Sequence, residues 1–116
     1  MKLKFLISMI CVSAMPSYGA EENLQAKKAN EDIMVCQYKA AIELDDGVSD
    51  LNSLAPIIAD WCKSESDRFY QILRRSIRGP IDETATRQAN REKDLQMAGR
   101  VILMKRADER KARQQQ

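Results

Sequence analysis

Residues 36–62 read CQYKAAIELDDGVSDLNSLAPIIADWC, and the two ends of this stretch decide the fold. Cys36 and Cys62 enclose a polar break built on Asp45-Asp46-Gly47 and Ser49-Asp50. Before the break, Ile33, Cys36, Ala40 and Leu44 recur at the spacing of one helical face. Ala29 extends that face backward, and Val35, Tyr38 and Ile42 widen it. Gly47 suits a helix stop, because glycine accepts the left-handed cap conformation. A first helix is therefore expected over 22–44, with Glu21 and Glu22 placed where a helix N-terminus favours negative charge.

After the break, Ser49, Asp50, Asn52 and Ser53 each offer a capping oxygen. Proline is tolerated in the first turn of a helix. Pro56 therefore favours a start near Ser53, with Val48–Leu51 as a separate turn; the alternative is one helix from Ser49 kinked at Pro56. Leu54, Ile58, Trp61, Cys62, Phe69, Ile72, Leu73 and Ile77 lie along one wide face of a second helix running to Arg78. Gly79-Pro80 ends it. Asp82 is a candidate cap for a third helix over 82–112, with Leu95, Ala98, Val101, Ile102 and Met104 as its apolar patch. The basic end from Lys105 is expected to fray, and 114–116 to be a disordered tail. Strand signals are absent. The expected fold is all-α, a disulfide-stapled antiparallel helical hairpin (22–78) plus a third, C-terminal helix, in a single domain over 21–113.

Cys36 lies eight residues before Leu44, and Cys62 lies nine after Ser53. At about 1.5 Å per residue these arms are roughly 12 and 13.5 Å long, so an antiparallel pairing brings both sulfurs to one height. The closed loop of 27 residues should constrain the unfolded chain by roughly 3–4 kcal/mol. A redox-active pair would instead favour Cys-x-x-Cys spacing or a lowered thiol pKa.

The start of the chain sets the compartment in which those cysteines sit. Lys2 and Lys4 precede the apolar run Phe5-Leu6-Ile7-Ser8-Met9-Ile10-Cys11-Val12, and Ser17, Gly19 and Ala20 follow. This is the anatomy of a secretory signal over 1–20, cut after Gly19 or Ala20. The run is shorter than the ~20 residues that span a bilayer. Ile10 is too large for the residue preceding a lipidated Cys11. The mature chain is expected in the periplasm or outside the cell, where disulfides persist.

Without Lys2 and Lys4, 17 basic residues balance 17 acidic ones, and nothing points to nucleic acid. The charge is polarised: residues 21–62 hold nine acids and three bases, residues 63–116 eight acids and fourteen bases. Such asymmetry can steer a charged partner, or let the two halves attract each other.

The chain has no His, and no phosphate loop or nucleophile elbow. It therefore lacks the commonest general base and metal ligand. Asp45-Asp46-x-x-x-Asp50 lacks the spacing and terminal Glu of a calcium loop. No enzyme activity, metal or cofactor is expected. Two basic surfaces are candidates for binding: Arg68, Arg74, Arg75 and Arg78 around Phe69 and Tyr70, and Arg87, Arg91, Arg100, Lys105 and Arg106 on the third helix, continued by Arg110, Lys111 and Arg113. Basic residues near a helix C-terminus also suit its dipole. A basic amphipathic segment can lie on anionic lipid or bind an acidic partner.

Ala41-Ile42-Glu43-Leu44-Asp45-Asp46-Gly47-Val48-Ser49-Asp50, then Ala55 to Cys62, Phe69, and Arg91–Leu95 through Val101–Leu103, resembles small secreted helical proteins of Gram-negative bacteria. Pro56 departs from the small residue of that pattern. The resemblance implies the helical fold and the disulfide, and no activity. The expected role is a non-enzymatic binding or adaptor module acting on a protein partner. The alternatives are a small periplasmic chaperone or stress protein, and an anionic lipid-surface binder through residues 100–113. The apolar stripe of the third helix fits either a monomer core or a homo-oligomer seam.

Overall fold

The computed structural model describes residues 18–116, with side chains from Leu24 onward. Most of the expected signal segment therefore lies outside the described residues. Four helices follow in order: α1 (Tyr18–Leu44), α2 (Leu51–Trp61), α3 (Lys63–Ser76) and α4 (Glu83–Gln114). The described residues are all-helical apart from turns.

α1 buries Ala29, Ile33, Gln37, Ala40 and Ala41, at the three- and four-residue steps of one helical face. Cys36 and Leu44 flank that stripe half-buried. Val35 and Ile42, expected to widen it, are instead about half exposed. The α1–α2 turn is held by its own carboxylates. The amide of Gly47 donates to Asp45 Oδ1 at 3.0 Å, and those of Val48 and Ser49 donate to Asp46 Oδ1 at 2.9 and 2.7 Å. Gly47 takes φ +84°, where a side chain would be strained.

α2 begins at Leu51, two residues before the expected Ser53 start. Asp50 is extended (φ −61°, ψ 134°), and its carbonyl accepts from the amides of Ser53 and Leu54 at 3.2 and 3.1 Å. Tertiary anchoring overrides the proline preference. Arg106 Nη2 fixes the Ser49 carbonyl at 2.7 Å, and Leu51 packs against the core. Pro56 consequently stands in the second turn. It deprives the Asn52 carbonyl of its usual donor, at an exposed residue where water can replace it.

The expected single helix from Ser53 to Arg78 is broken at Cys62. This residue leaves helical geometry (φ −102°, ψ 26°), and its amide is shared between the Ile58 and Ala59 carbonyls at 3.3 and 3.2 Å. The Ser66 amide then picks up the Cys62 carbonyl at 3.1 Å, so the chain bends without unravelling. The bend divides the packing: α2 lies chiefly on α4, and α3 chiefly on α1. Trp61, placed by its spacing on the buried face, is 60% exposed at the joint.

Cys36 and Cys62 are disulfide-bonded, with Cα atoms 5.9 Å apart. The core around them joins Ala40, Ala41, Leu54, Ala55, Ile58, Ala98, Val101 and Ile102. Ile33, Ile58 and Ile102 are fully buried, each worth roughly 1.5–3 kcal/mol of apolar burial. Alanines on all three sides let the helices approach closely.

α4 opens on its expected cap: the Asp82 carboxylate accepts from the Ala85 amide at 3.0 Å. It then continues through Lys105 and to Gln114, past the residues expected to fray. The reason is electrostatic anchoring of Lys105 and Arg106 near its end. Met104 and Leu103 are about half exposed, while Asp94 and Lys105 are buried, so the inner face of α4 is partly polar.

Candidate groove between α3 and α4

Where α3 bends away from α2, it diverges from α4 and leaves a groove of two adjoining hollows. One, of about 290 Å³, is lined by Asp60, Lys63, Ser66, Tyr70, Arg91 and Asp94 among others. The second, of about 590 Å³, shares Lys63, Asp67, Tyr70 and Arg87 with it and adds Arg74, Arg75 and Glu83.

Its floor is a buried polar network. Ser66 Oγ donates to Asp94 Oδ2, Asn90 Nδ2 donates to Ser66 Oγ at 3.2 Å, and Gln37 Nε2 donates to the Asp94 carbonyl at 3.2 Å. Lys93 Nζ lies 3.6 Å from Asp94 Oδ1 and 3.6 Å from the centre of the Phe69 ring. Burial pulls its ammonium pKa below the ordinary lysine value.

The rim is charged. Glu83 accepts from Tyr70 Oη at 2.6 Å and from Arg74 Nε at 2.8 Å. The bond to Glu83 raises the Tyr70 pKa, and the bonds from Tyr70 and Arg74 lower that of Glu83. Arg87 stacks over the Tyr70 ring at 4.5 Å, and Arg91 Nη1 pairs with Asp60 Oδ1 at 2.7 Å. The arrangement suits recognition of mixed-charge or acidic surfaces. Beside the Ser66 hydroxyl stand the Asp94 carboxylate and the Asn90 amide, and a carboxylate is a base far weaker than the imidazole that usually activates a serine.

The structure thus brings together four of the candidate residues, Arg74, Arg75, Arg87 and Arg91, on one groove from two helices. Arg68 faces away toward α1, paired with Asp32 at 3.2 Å. Arg78 and Arg100 are exposed, outside this groove. Lys105 and Arg106 are not surface groups of the expected kind. Lys105 is 5% exposed and bonds to the Asp45 carbonyl at 3.0 Å and to Glu109 at 2.8 Å. Arg106 grips both oxygens of Asp45, at 2.8 and 3.0 Å. This pairing holds the Asp45 carboxyl at about 2, below the usual carboxylate range.

The ion pairs Asp32–Arg68, Asp45–Arg106 and Asp60–Arg91 each join the acidic first half to the basic second half. Much of the charge polarity is thereby satisfied within the chain. Sequence spacing misses Gln37, Ser66 and Asp94. The one available signal is that each falls at a core-facing helical position, where an apolar residue would ordinarily stand.

The Cys36 and Cys62 sulfurs and a Glu65 carboxylate oxygen lie within 4.8 Å of one another. Metal binding by cysteine requires thiolates, and the disulfide consumes both. No helix among the described residues is long and apolar enough to cross a membrane. The disulfide is compatible with an oxidising extracellular compartment. No family model, curated protein or solved structure matches this chain.

Proposed function

We propose that the protein is an exported, non-enzymatic helical binding module that engages a protein partner through the α3/α4 groove. One observation carries this reading: Arg74, Arg75, Arg87 and Arg91, from two separate elements, converge on a groove with a polar floor. Arginine is enriched where protein interfaces concentrate their binding energy. Tyr70, braced by Glu83 and Arg87, adds a rigid aromatic wall.

The architecture in this reading is a stapled antiparallel hairpin of α1 against α2–α3, with α4 as the third helix. The pairs Cys36–Cys62 and Asp32–Arg68 support that register, since one index rises as the other falls. Export rests on the basic-apolar-small pattern of residues 1–20 and on the disulfide. The likeness to small secreted helical proteins of Gram-negative bacteria favours the periplasm.

The test is in-cell photocrosslinking from position 75 or 87 in the native envelope, followed by mass spectrometry. One stoichiometric envelope protein, captured from both positions and lost from position 75 when Arg87→Glu is added, supports the adaptor reading. A diffuse set of clients enriched under acid would favour a chaperone. Absence of any groove-dependent crosslink would overturn the assignment.

A further inference from the structure

The last third of α4 sorts its charges by face. Arg100, Leu103, Met104, Ala107, Arg110 and Lys111 follow the three- and four-residue steps of one outward surface. Leu103 and Met104 are 53% and 48% exposed, and the four cationic residues Arg100, Arg110, Lys111 and Arg113 are all exposed. The acids of this segment are turned aside and occupied. Asp108 accepts from Tyr38 Oη at 2.8 Å, and Glu109 pairs with Lys105 at 2.8 Å.

The α1–α2 turn sits beside this face, since Gly47 and Leu103 line one shallow hollow with Arg110, Arg113 and Glu109. At the turn, Val48 is 85% exposed, the most exposed large apolar side chain in the described residues. It is held out by a turn whose amides are fixed on Asp46. Asp46 is an exposed acid of the same turn, and its charge is engaged by the Ser49 hydroxyl and those amides.

We propose that this outer face of α4, with Val48 at its edge, docks on an anionic lipid surface. Two features favour lipid over an acidic protein. Met104 stands on the open helix surface, and the shallow hollow beside Leu103 is lined by charged groups, Arg106, Glu109, Arg110 and Arg113, with no apolar pocket for an anchor side chain. Apolar side chains set among cations, with the neighbouring acids Asp46, Asp108 and Glu109 each held by a donor of this chain, match the composition of helices that lie in the headgroup plane. The surface is distinct from the α3/α4 groove, so this proposal stands or falls independently of the adaptor reading.

The experiment is co-sedimentation of the disulfide-bonded protein with vesicles of phosphatidylcholine alone or with phosphatidylglycerol added. Binding is expected only to the anionic vesicles, and it should weaken as salt rises toward physiological strength. Arg110→Glu with Arg113→Glu should lower the partition coefficient about tenfold or more, and Leu103→Asp should lower it further. Arg75→Glu, in the groove, should leave it unchanged. Should the double variant fail to fold by circular dichroism, Lys111→Gln and Arg100→Gln give the same comparison at exposed sites. No binding to anionic vesicles at low salt would overturn the proposal. So would equal binding to neutral vesicles, loss of binding in Arg75→Glu alone, or capture by polyglutamate without capture by vesicles.

Discussion

Asp45 and Arg106, 61 residues apart, meet side by side: Nη2 donates to Oδ1 at 2.8 Å and Nε to Oδ2 at 3.0 Å. The Asp45 side chain is completely buried, and Lys105 closes over it from the same helix as Arg106. Removing the carboxylate charge would leave two cations facing a neutral amide. Asp45→Asn is therefore expected to cost roughly 3 kcal/mol, the lower end for a broken buried pair because Lys105 keeps Glu109. Arg106→Lys keeps the charge and loses the two-pronged geometry, at about 1.5 kcal/mol. Urea denaturation of the three proteins checks both figures. Equal midpoints would show that the pair contributes nothing.

The same carboxylate sets an acid limit. Its pKa is about 2 in the folded chain against an ordinary 3.8, so the unfolded chain binds the proton more readily. The contribution is complete above about pH 4 and is lost as pH falls toward 2. By linkage it amounts to about 2 kcal/mol. Asp46 is lowered in the same way, through the Ser49 hydroxyl first and then the backbone amides. Asp45→Asn should flatten the acid limb of a stability–pH curve between 4 and 2 without abolishing it. An acid limb identical to that of the parent would place the sensitive group elsewhere.

Loss of the disulfide should be felt throughout the molecule, because Cys62 is both the tether to α1 and the bend between α2 and α3. Cys36→Ser is expected to lower stability by roughly 3–4 kcal/mol on the loop-entropy model. For a domain of this size that is a fall in Tm of more than about 12 °C. Cys62→Ser should cost somewhat more, since Cys62 is fully buried and a hydroxyl there needs a partner. Thermal melts with and without reductant measure both, and a reductant-insensitive parent would contradict them.

Two glycines should respond in opposite directions. Gly47 sits at φ +84° with open space where a Cβ would go, so Gly47→Ala meets backbone strain alone, about 1–2 kcal/mol. Gly99 lies inside α4, where an added methyl would also meet nothing within 4 Å, and it carries no such strain. Gly99→Ala should stabilise by roughly 0.5–1 kcal/mol through helix propensity. Thermal melts of the pair give the sign directly.

The sequence makes legible what depends on local chemistry. The stop at Gly47, the Asp82 cap, the Gly79-Pro80 break and the facing cysteines all follow from residue type and spacing. What it hides depends on partners far along the chain. Lys105 and Arg106 read as solvent-facing cations until the turn at Asp45 is placed beneath them. Pro56 argues for a later start to α2, yet the Arg106 bond to Ser49 fixes an earlier one. The bend at Cys62 has no glycine or proline to announce it. It arises because α2 and α3 pack on different helices. The groove is half visible: its arginines stand out by charge, while the Ser66–Asp94 floor consists of polar residues at core-facing positions that spacing alone does not pair.

The link between Asp45 and Arg106 also orders events in time. Synthesis delivers the chain from its N-terminus, and Cys36 can reach Cys62 once just over half of it has emerged. The turn at Asp45 must wait for the last dozen residues before its charge is neutralised. A chain truncated before Arg106 would hold its sulfur bridge yet leave that turn unlatched, so the finished molecule carries, at one corner, a register of its own completion.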